Sequence, residues 1–188
     1  MLEGELVRLR ALEPSDAALL QRWVNDREVT HFTSARYLFS LQSEEAWVRE
    51  RPPNSLANGV RLAIETKDGR HIGILQLLET RLEDRKAELA ITIGEKDCWS
   101  QGYGTDAVVT ALRFAFHQMN LHRVWLTTLE YNERAIACYR KCGFQEEGRL
   151  RQEVFKFGRF WDFVIMGVLR NDFETLHGAA QAEGGSDA

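Results

Sequence analysis

The sequence predicts one α/β domain built on a mixed sheet, partly antiparallel and partly parallel. Three observations carry that class. Stretches alternating apolar and polar residues meet across a tight turn at Asp68-Gly69, and again near Gly158-Arg159, which makes two hairpins. Between them, Lys86 to Gly94, a long apolar helix, and Arg123 to Glu130 follow in series, which makes a β-α-β crossover with a parallel pair. The chain is 188 residues long, 44% hydrophobic and 28% charged, as expected of one domain with its own core.

Each element has a local reason. GELVRLRAL (Gly4 to Leu12) alternates as a half-buried strand does. Pro14 suits the first turn of a helix running to about Asn25, with Ala17, Leu20 and Val24, and Trp23 beside them, as its apolar face. Ser43 ahead of Glu44 and Glu45 marks a second helix start. Val60 to Thr66 and His71 to Glu79 are the arms of the first hairpin. In the next strand Leu89, Ile91 and Ile93 share a face. The helix from Gly104 to about Met119 is apolar nearly all round and therefore buried. A short helix follows Asn132 and stops at Gly143, and Glu146 to Leu169 closes the fold as a hairpin. Residues 1–177 form the domain; Gly178 to Ala188 (GAAQAEGGSDA) has nothing to bury and is expected to be a flexible tail.

Composition excludes several classes. The longest apolar stretch, Phe163 to Leu169, is far short of the roughly 20 residues a bilayer span needs. MLEGELVRLR lacks the apolar segment of a signal peptide, so a cytoplasmic protein is expected, with no membrane partner. The formal charge of −4 argues against nucleic-acid binding. Arg149, Arg151, Lys156 and Arg159 are interleaved with Glu146, Glu147, Glu153 and Asp162, as on a solvated sheet face. The three cysteines suit no extracellular framework. Cys138 and Cys142 lie one helical turn apart, but no second ligand pair of matching spacing exists among the histidines. Reduced thiols near the core are expected, and no metal.

The stretch Cys98 to Phe116, CWSQGYGTDAVVTALRFAF, sets Gly102 and Gly104 just before the buried helix. A strand, a loop and a helix start are the layout of an anion site, because first-turn N–H groups lack internal partners and the helix dipole favours negative charge. The glycines remove side chains that would keep a diphosphate away, and the Thr105 hydroxyl adds a donor. Taken alone, paired glycines are equally well explained as tight-turn residues. No Gly-Lys-Ser/Thr phosphate loop occurs, and the strand-to-helix loop is longer than a dinucleotide-binding fold uses.

A second motif begins at Asn132. Asn132 suits an N-cap, Gly143 a left-handed helix stop, and Phe144 packs back on it. Left over is the seven-residue spacing of Asn132 and Tyr139, which puts an amide and a phenol on one helix face with small Ala135 between them.

Gln101-Gly-Tyr-Gly104 opening a buried helix, combined with Asn132, Ala135-Ile136, Tyr139 and Gly143-Phe144, resembles the GNAT superfamily of acetyl-CoA-dependent N-acetyltransferases. The resemblance runs from VRLRALEPSD to GRFWDFVIMGVL. It is most marked for the branch of ribosomal-protein N-terminal, spermidine and amino-sugar acetyltransferases. Trp99 departs from it: three residues before the first motif glycine the superfamily usually carries Arg or Gln.

The resemblance implies a GNAT-like acyltransferase fold, acetyl-CoA as acetyl donor, no metal, and a homodimer. It implies that pantetheine lies between two splayed parallel strands, held by backbone N–H groups of Ile91, Thr92 and Ile93. The diphosphate would rest on Gln101, Gly102, Tyr103, Gly104 and Thr105, and Asn132 would bond the pantetheine arm or a water. Acetyl transfer needs a neutral amine, a donor for the carbonyl oxygen and a proton for the departing thiolate. Tyr139 matches the general acid. Glu88, at the polar end of the cofactor strand, is the candidate base, with Glu28, His31 and Glu130 as alternatives. The acceptor is left open among a protein N-terminus, a polyamine and an amino sugar. A non-catalytic CoA-binding regulatory or partner-binding domain is the competing reading.

Overall fold

In the computed structural model, which describes residues 1–178, eight strands join in one sheet. They are β1 (Leu2–Glu3), β2 (Val7–Ala11), β3 (Val60–Thr66), β4 (His71–Arg81), β5 (Lys86–Ile93), β6 (Arg123–Leu129), β7 (Gln145–Lys156) and β8 (Arg159–Leu169). Their spatial order is β1-β2-β3-β4-β5-β6-β8-β7. The α-helices are α1 (Ala17–Asn25), α2 (Arg27–Thr30), α3 (Leu41–Glu50), α4 (Tyr103–His117), α5 (Glu133–Lys141) and α6 (Arg170–His177). The mixed sheet, the two hairpins and the crossover through the long helix agree with the sequence reading. The proposed tail, apart from Gly178, falls outside the described residues. No helix among the described residues is long and apolar enough to cross a membrane.

One pairing positions the site. β5 and β6 are the parallel neighbours, and they hold register only at Lys86↔Arg123, Ala87↔Val124 and Glu88↔Trp125. Past Glu88 the strands part. β5 continues against β4 as far as Ile93, and β6 against β8 as far as Leu129. The result is a wedge in the middle of the sheet, with unpaired β5 backbone along one side.

Two apolar clusters grip the sheet from opposite faces. Val108, Leu112, Ala115 and Phe116 of α4 pack on Leu75, Ala87, Leu89, Val124 and Leu126. Leu20 and Trp23 of α1 and Val48 of α3 pack with Ala63 and Ile74 on the other face. Phe116 and Leu112 are fully enclosed, and each such side chain contributes about 1.5–3 kcal/mol.

Four details differ from the sequence reading. Gly4 to Leu12 is not one strand: β1 folds back on β2, because the Asp106 carboxylate accepts the N–H groups of Glu5, Leu6 and Val7 at 3.0, 2.8 and 2.9 Å. The cap of α3 is Ser40, whose hydroxyl accepts the Ser43 N–H at 3.1 Å, so Ser43 is the third helical residue rather than the start. Asp26 caps the single turn of α2 through the Glu28 and Val29 N–H groups. Finally, α6 follows the closing hairpin and buries Phe173 against Phe116, with ring centroids 5.3 Å apart.

Beneath α1 a buried ion cluster ties the helix to the sheet. Arg10 grips Asp16 with two bonds of 2.7 and 2.9 Å and Glu65 with one of 2.6 Å; His71 Nδ1 lies 3.0 Å from Asp16. Burial pushes the Asp16 carboxyl up, but its bonds from Arg10, His71 and the Glu13 N–H outweigh that and hold it well below the usual range. Asp16→Asn is expected to cost about 3 kcal/mol at neutral pH, since it leaves Arg10 half-paired. A group whose folded pKa is depressed stabilises above its unfolded pKa, near 3.9. That contribution fades as pH falls further, so urea midpoints of wild type and variant should converge below about pH 4.

Candidate active site

The wedge between β5 and β6 opens into a cleft of about 340 Å³. It is lined by Ile91, Thr92 and Ile93 of β5, the loop and first turn of α4, and one face of α5, with Val29 and Phe32 closing it from the far side of the sheet. Among the described residues two side-chain cations, Arg134 and Lys141, face this cleft, and no carboxylate lines it. In a chain of net charge −4 that is a local inversion of sign, which selects an anionic ligand.

Local sequence builds the floor. Gly102 is the N-cap of α4 at φ +90°, a left-handed backbone that glycine adopts without strain. Gly104 has no such constraint: a Cβ there would lie 3.8 Å from Ile93 and 4.0 Å from the Cys138 sulfur, ordinary contacts. Its bareness leaves room in the cleft rather than relieving the chain. Asp106, in the same helix turn, points away to the β1–β2 bend and does not oppose an anion.

The expected contacts divide. Ile91, Thr92, Ile93, Gly102, Gly104, Thr105, Asn132 and Tyr139 all line the cleft. Gln101 and Tyr103 do not; the exposed Gln101 side chain turns back to the Asp97 carbonyl, and Tyr103 packs against the apolar core. Asn132 caps α5 as expected, its Oδ1 accepting the Ala135 N–H at 3.3 Å, which leaves its two amide donors and one oxygen lone pair for a ligand. The three cysteines are free thiols. Cys138 also faces the cleft, 3.3 Å from the Thr105 hydroxyl, and hydrogen bonding from the nearby Cys142 thiol holds it below the ordinary thiol range.

Tyr139 is buried to 8% exposure, its ring 5.8 Å from that of Phe144. Burial first, then the neighbouring Cys138 and Cys142, push its pKa well up, so the phenol keeps its proton. Glu88 is not in the cleft lining. It stands at the apex of the wedge, the last β5 residue paired to β6, and alternation puts it on the face opposite α4. Burial raises its pKa, and Glu79 raises it further. Beside it, Glu79, Arg81, Lys86, Arg123 and Trp125 enclose a second hollow of about 240 Å³. Of the alternative bases, Glu28 is held by Lys96 and Glu130 accepts the Asp162 N–H at 3.1 Å, while His31 stacks on Phe157 at 4.7 Å and meets the cleft residue Phe32 edge-on at 4.8 Å. Three of the four basic residues of the last hairpin are occupied too: Arg149 pairs with Glu146 at 2.9 Å, Lys156 donates to the Thr30 and Thr33 carbonyls, and Arg159 covers Trp161 at 3.3 Å.

Sequence reasoning missed Phe32, Arg134, Cys138 and Lys141 as cleft residues. The i, i+4, i+7 spacing of Arg134, Cys138 and Lys141 on the face that carries Ala135 was the available signal.

A splayed parallel pair, a bare helix N-terminus and a buried phenol facing one cleft are what the resemblance implies for an acyltransferase that uses a coenzyme A thioester. Comparison with known proteins makes the assignment specific. A family model described as "Acetyltransferase (GNAT) domain" matches residues 7–145, and the chain belongs to that family of acetyl-CoA-dependent N-acetyltransferases. The spermidine N(1)-acetyltransferase of Vibrio cholerae is 29% identical over 166 residues, covering 88% of this chain and 94% of that protein. The enzyme of the same name from Escherichia coli (strain K12) is 29% identical over 180 residues, covering 94% and 93%. The crystal structure of spermidine N-acetyltransferase from Vibrio cholerae in complex with CoA and spermine superimposes with a TM-score of 0.83 at 27% identity, covering 90% of this chain and 99% of that one.

Proposed function

We propose that the chain acetylates a primary amine of a polyamine, with Tyr139 as general acid and Glu88 as general base. The observation that carries the acceptor class is the grouping at the wedge apex. Two carboxylates, Glu79 and Glu88, lie close enough to raise the Glu88 pKa, with the Trp125 ring paired beside Glu88. A carboxylate beside an aromatic face suits an ammonium; of the three cations sharing the hollow, Lys86 is held by Asp84 and Arg123 by Glu147, which leaves Arg81 as the charge that opposes one. The relatives named as spermidine acetyltransferases support the same class.

Acetyl-CoA, when bound, supplies the acetyl thioester. The remaining work falls to this chain. The N–H groups of Gly102 to Thr105 and the two cleft cations suit its phosphates. Unpaired β5 backbone at Ile91 to Ile93 holds the pantetheine amides and polarises the carbonyl. The Asn132 amide steadies the arm. Glu88, on the opposite face of the sheet, takes a proton from the incoming ammonium, directly or through a water. Tyr139 hands its proton to the departing sulfur and recovers one, by way of solvent, from the proton that the amine nitrogen sheds as the amide forms.

Thiol release in the presence of acetyl-CoA and a panel of spermidine, spermine, an N-terminal peptide and glucosamine tests this reading. The polyamines are expected to give the highest kcat/KM. Turnover confined to the peptide or the sugar would overturn the acceptor class, and none on any amine would overturn the catalytic reading.

A further inference from the structure

We propose that Arg134, laid over the Trp99 ring, is a preformed clamp for the diphosphate of coenzyme A. The proposal rests on the cleft being the coenzyme site.

The guanidinium carbon of Arg134 lies 4.1 Å from the Trp99 ring centroid and 5.2 Å from that of Phe32. The platform beneath it is fixed: the Trp99 indole N–H donates to the Ile93 carbonyl at 2.8 Å, at the unpaired end of β5. Phe32 meets Trp99 edge-on at 6.3 Å. Stacking uses the faces of a guanidinium and leaves its edge donors free, and those edges match a phosphate bidentately.

Other uses of this cation are missing. Among the described residues Arg134 makes no ion pair, whereas Arg22, Arg70 and Arg149 each find a carboxylate. Arg134 is exposed, and its contact with the rings lowers its pKa by partial desolvation with no carboxylate to offset it. A stacked, exposed cation whose edge donors have no protein partner is open to a ligand entering the cleft.

Position assigns the phosphate. Arg134 lies in the first turn of α5 and lines the same cleft as Gly102, Gly104 and Thr105, and Trp99 sits three residues before Gly102. Lys141, the other cleft cation, is seven residues on along the same helix, about 10.5 Å further at 1.5 Å per residue. Two cations so spaced answer two separate anionic groups of one ligand. Arg134, stacked on the residue that leads into the glycine loop, is the one for the diphosphate, and Lys141 is left for the outer phosphate. The Trp99–Arg134 pair thereby supplies a charge that the tryptophan alone lacks.

Calorimetric Kd values for CoA and for 3′-dephospho-CoA, which keeps the diphosphate, test this. Arg134→Ala is expected to weaken both ligands equally, by about 10- to 100-fold, the range of a charge-assisted hydrogen-bond pair. It should also flatten the salt dependence of binding. Arg134→Lys should restore the salt dependence with only part of the affinity, since an ammonium cannot bind in fork geometry. Loss for CoA alone would move Arg134 to the 3′-phosphate and overturn the assignment. An unchanged Kd, or a loss with unaltered salt dependence that lysine does not relieve, would overturn it as well. Wild-type protein that bound neither ligand would instead overturn the coenzyme reading of the cleft.

Discussion

Tyr139→Phe is expected to lower kcat by about 100-fold and leave the affinity for CoA within about twofold of wild type. The ring of phenylalanine keeps the packing on Phe144 and the 8%-exposed position under the cleft, so the wall is preserved and only the hydroxyl is lost. The size of the effect follows from the leaving group. A thiol titrates near 8.5, so a thiolate can depart unaided, though more slowly, which keeps the loss nearer 10² than 10⁴. Burial raises the Tyr139 pKa, so the phenol is protonated throughout the range in which enzymes are assayed. The wild-type rate should therefore show no alkaline fall attributable to Tyr139 below about pH 10. Steady-state kinetics with saturating acetyl-CoA, paired with calorimetric CoA binding, decide it. An unchanged kcat would remove Tyr139 from the reaction, and a parallel collapse of CoA affinity would make it a structural residue.

How much of this was legible beforehand depends on how local each signal is. Asp68-Gly69, Asn132 and Gly143 act on their immediate neighbours, so the hairpin, the α5 cap and its left-handed stop (φ +99° at Gly143) follow from short windows. The glycine loop and the Asn132–Tyr139 stripe were readable for the same reason, and with them most of the cleft. The β1–β2 bend was not, because its cause is Asp106, about a hundred residues away in sequence. The Trp99–Arg134–Phe32 stack likewise joins three segments, none of which signals the others. Helix α6 lacks a side-chain cap at its start, so only packing of Phe173 declares it. The wedge itself is a departure from regular pairing, and residue patterns that favour a strand do not say where a strand loses its neighbour.

Glu88→Gln should reduce kcat/KM for a polyamine by about 100-fold at neutral pH, with CoA binding unaffected. The amide fills the same space at the wedge apex but accepts no proton from an ammonium. The pH dependence carries the stronger test. Burial and the charge of Glu79 hold the Glu88 carboxyl above the ordinary range. Wild-type kcat/KM should then climb with pH as that carboxyl ionises and becomes able to act as a base. In the variant that step disappears, and the rate should keep rising as the free amine itself loses its proton, near pH 10. The two enzymes should converge there, because a neutral amine needs no base. Glu79→Gln removes the like charge, so the wild-type rise should move to lower pH while KM for the polyamine increases. A Glu88→Gln profile that runs parallel to wild type at every pH would exclude Glu88 as the base and leave deprotonation to solvent.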